Sequence, residues 1–186
     1  REHLGDGYVE ALWEAYPEMP QSADLVMFWW DKAAQIVRKL GAKKESSLRR
    51  FGFITTNSLR QTFNRRVLDF YMNAHKAPIS LLFVIADHPW VDTQYGAAVR
   101  IAMTVASVGL REGKLLTVER EVRSKREENG RDVSFNSQNG KIYSNLQIGA
   151  DVGAARVLTS NSNISFQGVT PLGEGFRVPL AMASEH

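Results

Sequence analysis

Apolar residues recur at helical spacing twice near the start of the chain. In residues 6–16, Val9, Leu12, Trp13 and Tyr16 fall three or four apart, which predicts a short amphipathic helix. Pro17 and Pro20 end it, because neither can continue a helical ladder. Ser22 is placed to cap a long helix over 22–40, with Leu25, Val26, Trp29, Ala33, Ile36, Val37 and Leu40 on one broad face and Gly41 closing it. Phe28, Trp29 and Trp30 lie within that stretch, and aromatics at such spacing read as core.

The period then changes. Residues 50–56 (RFGFITT) are a short, nearly continuous apolar run, as in a strand covered on both sides. Asn57 or Ser58 can cap a following helix that carries Phe63, Val67, Leu68 and Tyr71. Pro78 introduces an apolar strand over 79–86, and a loop with Pro89, Asp92 and Gly96 leads to another over 97–108. This order of helix, strand, helix, strand, strand predicts an α/β fold, a parallel sheet with helices on its faces. The connection between the last two strands is too short for a crossover helix, so they are expected to pair antiparallel.

After Gly109 the texture alters. Residues 114–123 alternate like an exposed strand, 124–132 (SKREENGRD) read as a charged turn, and Asn139-Gly140 within 133–148 is a two-residue hairpin signal. Residues 151–163 are ambiguous, and 164–178 are Gly-rich, suited to turns and short strands. A boundary near residue 112 is expected. There is no internal repeat.

Length and composition narrow the classes. A chain of 186 residues, 44% hydrophobic, holds one domain, or one and part of another, with a real core. The absence of cysteine excludes disulfides, thiol nucleophiles and Cys-type zinc sites. A net charge of +3 and a pI near 9.3 are compatible with a polyanionic partner without requiring one. No apolar run is long enough for a membrane span, and REHLGDG at the start lacks the apolar core of a signal peptide. A chain opening on Arg1 reads as an excised piece.

In several blocks the chain resembles a known family. ADLVMFWWDKA at 23–33, RRFGFITTNSLRQTFNRR at 49–66 and IADHPWVDTQYGAAVRIAMTVAS at 85–107 are similar to later motifs of the adenine-N6 DNA methyltransferases. Within that class they look most like the large single-chain type II restriction–modification enzymes, which carry nuclease and methyltransferase on one polypeptide. The tail, GKIYSNLQIGADV at 140–152 and LTSNSNISFQGVTPLGEGFRV at 158–178, resembles the passage from their methyltransferase domain into the target-recognition domain.

The resemblance implies a partial Rossmann-like class I methyltransferase fold, with the later strands of the sheet, the last two antiparallel, and a β-rich segment after them. Residues 1–112 would be the C-terminal half of the catalytic domain and 113–186 the β-rich connection into target recognition. The implied reaction is methyl transfer from S-adenosylmethionine to adenine N6 in duplex DNA, in a bacterial-type cytoplasm, with a fused nuclease as a further partner. In the family a Gly-rich turn holds the cofactor and an Asn-Pro-Pro-aromatic tetrapeptide grips the adenine. This sequence contains neither. The chain alone is therefore expected to be inactive and to bind no cofactor, and to self-associate through the open edge of strand 50–56. Two rivals stand beside this reading: a non-catalytic DNA-binding specificity module, and an unrelated α/β protein that binds another nucleotide.

The candidate residues each carry two readings. Enzymes that act on a base in duplex DNA flip it out and stack it on a ring, and His88-Pro89-Trp90 sits where the family has that ring. Trp90 is favoured over His88 for its larger face; otherwise Trp90 packs on the sheet edge and His88 is a hydrogen-bonded loop residue. Asp87 and Asp92 flank the loop as an acid–base pair or as turn-formers. Asn57 and Ser58 follow a strand at the carboxyl edge, where open sheets bind ligands, and either touch the flipped nucleotide or cap a helix. Arg60, Arg65 and Arg66 contact phosphates or form a solvated face. Asp24 and Lys32 belong to the first block and either orient a cofactor wall or do not. Four scattered histidines give no zinc spacing, and there is no Gly-x-Ser-x-Gly elbow.

Overall fold

The computed structural model describes residues 5–41, 48–90, 99–123, 131–152, 155, 158–161 and 164. Internal packing divides the chain into Arg1–Gly153 and Ala154–His186. The second unit shows, among its described residues, a single-turn 3-10 helix, Thr159–Asn161. The first contains α1 (Asp6–Ala15), α2 (Val26–Gly41), β1 (Arg50–Thr56), a 3-10 helix (Asn57–Arg60), α3 (Thr62–Met72), β2 (Ile79–Pro89), β3 (Arg100–Val108), β4 (Gly113–Arg123) and β5 (Arg131–Gly140).

The strands form one mixed sheet in the order β1-β3-β2-β4-β5. β1 and β2 run in the same direction because each pairs antiparallel with β3, which lies between them. The close antiparallel pairing expected of 79–86 with 97–108 is therefore present, while the two co-directional strands do not touch. Direct parallel pairing occurs between β2 and β4, at Phe83–Lys114, Val84–Leu115 and Ile85–Leu116. With helices α2 and α3 packed beside the sheet, this is a mixed α/β fold with parallel and antiparallel pairs, consistent with a partial Rossmann-like one.

β4 can lie this close to β2 because residue 113 has no side chain. A Cβ there would fall against the carbonyl oxygen of Leu81 and the Ile142 side chain. The change of texture after Gly109 is thus a change of pattern within one sheet: β4 and β5 extend it, and the compact unit runs on to Gly153.

The core is assembled from Met27, Trp30, Ala34 and Val37 of α2, Leu68 and Tyr71 of α3, and Ile79, Leu81, Val84, Ala102 and Ala106 of the sheet. Trp30 meets Phe51 edge-on at 5.1 Å and lies 6.0 Å from Tyr71. This turns α2 away from its expected face. Met27, Phe28, Trp30, Ala34 and Val37 are buried, whereas Leu25, Trp29 (66% exposed) and Ile36 point outward. α2 carries apolar residues nearly all round its first turns, so spacing did not choose between faces; contact with Phe51 and Tyr71 does.

Other local expectations are corrected. Ser22 caps nothing, since α2 begins at Val26; the backbone N–H of Asp24 is instead held by Asn64 Oδ1 at 2.8 Å. β1 is covered on one face: Phe51, Phe53 and Thr55 turn inward, Gly52, Ile54 and Thr56 outward. Neither Asn57 nor Ser58 caps α3, which starts after Gln61 without a side-chain cap. Asn139 and Gly140 are not a turn but the last rungs of β5, opposite Lys114 and Gly113. The reversal falls later, where Tyr143 and Gln147 close a turn and Ile142 bridges Ile148, burying Ile142 and Leu146. Of the charged stretch 124–132, Arg131 and Asp132 open β5, and 124–130 lie outside the described residues, as do Asp92, Gly96 and 165–178.

Tyr71 gives the fold an alkaline limit. Burial first, and then its hydrogen bond to Asp31, push the phenol well above the ordinary value of 10.0. The folded state therefore holds this proton more tightly than the unfolded chain. Its contribution is intact below pH 10 and falls away as the pH climbs past that value. Tyr71→Phe is expected to flatten the alkaline decline in urea-unfolding stability; an unchanged slope would contradict this assignment.

Candidate functional site

The carboxyl ends of β1 and β2 meet the amino end of β3, and polar residues gather there. β1 runs straight into the 3-10 helix, which brings Asn57 beside β2. Asn57 Nδ2 donates to Asp87 Oδ1 at 2.7 Å, and Arg100 Nε donates to the same oxygen at 2.6 Å. The Arg100 guanidinium also donates to the Asp87 carbonyl at 2.9 Å and pairs with Glu121 at 2.7 Å. Four elements are thereby joined, the 3-10 helix, β2, β3 and β4, from Asn57 to Asp87 to Arg100 to Glu121.

A bulge makes this possible. Between the Ile85–Met103 and His88–Ile101 pairs, β2 supplies two residues, Ala86 and Asp87, opposite Ala102. Such an insertion re-aims the side chains at a strand's end. Asp87 is therefore a strand residue that accepts from two donors; Asp92, the other acid of the expected pair, lies outside the described residues. Glu121 above all, and then Asp87, hold the Arg100 proton more firmly than usual. Asn57 Oδ1 is buried with no partner among the described residues, so the amide faces Asp87 through its donor side alone.

Ser58 belongs to a different network. Its hydroxyl donates to Asp24 Oδ2 at 2.5 Å and lies 2.6 Å from Thr56 Oγ1. Asn64 Nδ2 bonds the same Asp24 oxygen at 2.9 Å and the Ser58 carbonyl at 2.8 Å. This ties the entry of α2 to the 3-10 helix and α3. Asp24 and Ser58 act as fasteners there, and Lys32 stands exposed on α2.

The three arginines part company. Arg60 and Arg65 line one cavity of about 330 Å³ together with Asn57, Asn145 and Gln147. Arg60 and Gln147 also border a second, of about 490 Å³, walled by Asp87, Arg100, Glu119 and Glu121. Arg66 points elsewhere: its guanidinium lies 5.2 Å from the centre of the Phe63 ring, and it borders a cavity of about 320 Å³ with Asp31 and Tyr71. His88 is a strand residue rather than a loop residue; its ring stacks on Phe135 of β5 at 5.7 Å, and Nδ1 lies 2.6 Å from the Pro89 carbonyl. Trp90 follows the last residue of β2, its N–H donating to the Val99 carbonyl at 2.9 Å, and is 44% exposed.

The structure thus brings Asn57, Arg60 and Arg65 together and sets Ser58 and Arg66 apart from them. Reading the sequence missed Arg100, Glu121, Asn145 and Gln147. A charge opening an otherwise apolar strand was a signal for Arg100. Nothing local marks Asn145 and Gln147, which flank Leu146 in a turn. Among the described residues no three His, Asp or Glu gather as a metal site. No helix there is long and apolar enough to cross a membrane, which says nothing of a β-barrel.

No protein-family model and no curated protein sequence matches the chain. Among solved structures it is similar to the Type IIL restriction-modification enzyme MmeI in complex with DNA, at 20% identity and a TM-score of 0.54. The likeness covers 80% of this chain and 18% of that one. At such identity it establishes the fold, and the chain spans less than a fifth of the enzyme it resembles.

Proposed function

We propose that this chain is part of a DNA adenine-N6 methyltransferase of the restriction–modification kind, with duplex DNA as its partner. The observation that supports this most is the likeness of fold, across 80% of the chain, to a restriction-modification enzyme in complex with DNA. The order of the three sequence blocks agrees with it. On this reading residues 1–112 are the later half of the catalytic domain, and 113–186 lead into target recognition, with β4 and β5 continuing the catalytic sheet.

S-adenosylmethionine would supply the methyl group. β1 passes directly into Asn57 and β2 into Trp90, so neither strand end offers the Gly-rich turn the resemblance requires for that cofactor. The donor would be held by residues outside this chain.

What this chain contributes is a surface for the nucleic acid. Trp90 offers an exposed ring on a backbone fixed by the Val99 carbonyl, suited to stacking on an extrahelical adenine, and His88 supports the same end of β2. Asn57, Arg60 and Arg65 sit at the adjoining carboxyl edge.

The test is methyl transfer from labelled S-adenosylmethionine to a diverse pool of duplex DNA, by the longer protein containing this chain and by the chain alone. Methylation of adenine by the longer protein, with none by the chain, is the expected result. An inert longer protein would remove the methyltransferase reading and leave the DNA-binding module. In the active protein Trp90→Ala should cost about 1–3 kcal/mol of stacking, read as weaker binding of DNA with an extrahelical adenine. Unchanged binding would remove Trp90 from the interface.

A further inference from the structure

We propose that the cleft between Arg60, Arg65, Asn145 and Gln147 is an anion site that takes one phosphodiester of a DNA strand, an inference resting on the DNA reading above. The two arginines come from successive helices and are both half-buried. Neither guanidinium has a hydrogen-bond or ion-pair partner among the described residues. Three other arginines of the fold are engaged. Arg38 donates to the Lys76 and Ala77 carbonyls, Arg66 covers Phe63, and Arg100 is shared by Asp87 and Glu121. Two half-buried guanidinium groups facing one cleft repel each other, and an anion between them relieves that repulsion.

Asn145 adds a second, independent observation. It is 9% exposed and lines the same cleft. Its Oδ1 is used, accepting from the Gln147 backbone N–H at 3.2 Å, but its Nδ2 has merely a 3.5 Å contact to Gln147 Oε1, at the outer limit of a hydrogen bond. A buried amide donor is thus left for a ligand beside two cations. No carboxylate lines this cleft.

The neighbouring cavity explains why the site is small. Beyond Arg60 the wall carries Asp87, Glu119 and Glu121, which turn a phosphate away. The anion is confined to one side of Arg60, in about 330 Å³. Guanidinium forks suit phosphate oxygens bidentately, so a single phosphate fits the donor set.

The experiment is fluorescence anisotropy of labelled duplex DNA with the whole chain over a salt series. Arg60→Ala and Arg65→Ala should each weaken binding about tenfold and lower the salt slope by about 1. Asn145→Ala should weaken binding with the slope unchanged, and Arg66→Ala should alter neither quantity. An equal effect of Arg66→Ala, or none of Arg60→Ala and Arg65→Ala, would overturn the site. Phosphorus NMR with inorganic phosphate distinguishes the sources. Phosphate binding lost in both arginine variants, with no DNA binding by the native chain, keeps the anion site and removes the DNA strand. Failure of both ligands to bind overturns the proposal. If an Ala variant does not fold, Arg65→Lys keeps the charge and should keep the salt slope while losing affinity.

Discussion

Asn64→Ala is expected to lower the unfolding free energy by about 3–4 kcal/mol, the largest loss from any single polar side chain among the described residues. Asn64 is 1% exposed and serves three partners at once. Its Oδ1 accepts from the Asp24 N–H at 2.8 Å, and its Nδ2 donates to Asp24 Oδ2 at 2.9 Å and to the Ser58 carbonyl at 2.8 Å. Truncation leaves a donor, a charged acceptor and a carbonyl without this partner in a place water reaches poorly. Each orphaned group costs about 1–3 kcal/mol, partly recovered as solvent enters. Ser58→Ala removes one bond to the same carboxylate, so the two substitutions should not add. Urea unfolding of both single variants and the double variant checks this. Strictly additive losses would mean that the Asp24 cluster does not act as a unit.

Gly113→Ala should cost about 3 kcal/mol, by driving β4 from β2. The obstacle is backbone: the new methyl would meet the Leu81 carbonyl, which cannot rotate away, and Ile142 Cδ1 at 2.9 Å. Gly52 is the internal comparison. A Cβ there lies 3.1 Å from the Thr104 carbonyl oxygen and 3.3 Å from Val105 Cγ2, on the open face of the edge strand β1, where small shifts relieve it. Gly52→Ala should therefore stay within about 1 kcal/mol of the native chain. Hydrogen exchange locates the damage. In Gly113→Ala the amides of β4 and β5 should lose protection before those of β1 and β3. Native protection throughout β4 would show that the approach of β4 to β2 is looser than the register implies.

The two substitutions mark where local pattern stops being informative. Asn64 looks in sequence like an ordinary polar residue early in a helix, and Gly113 like a turn glycine after Gly109. Their importance comes from partners far along the chain: Asp24 lies 40 residues from Asn64, and Leu81 comes from another strand. The candidate site divides the same way. That Asn57, Arg60 and Arg65 follow a strand end was plain from the change of period at residue 57. Whether Arg60 and Arg65 face one cleft while Arg66 stacks on Phe63 depended on how α3 sits against the 3-10 helix. Asp87 stood in the sequence as a loop residue after an apolar strand, and Arg100, a charge opening the next strand, was passed over. The bulge that lets Asp87 hold both Asn57 and Arg100 is a property of the pairing of β2 with β3.

The residue pattern is sufficient for the mixed α/β class, the existence of α1, α2, α3 and the strands, and the antiparallel return of β3. Periods of 3.6 and 2, proline stops and connection lengths are short-range properties, and a chain carries them in any environment. The insertion of β3 between β1 and β2, the inward face of α2 and the reversal beyond Gly140 came from packing. In each case several local solutions were nearly equal, and burial against distant residues selected one. Trp30 turns inward and Trp29 outward because Phe51 and Tyr71 wait on one side; Asn139 stays in the ladder because Ile142 and Leu146 are buried just beyond it.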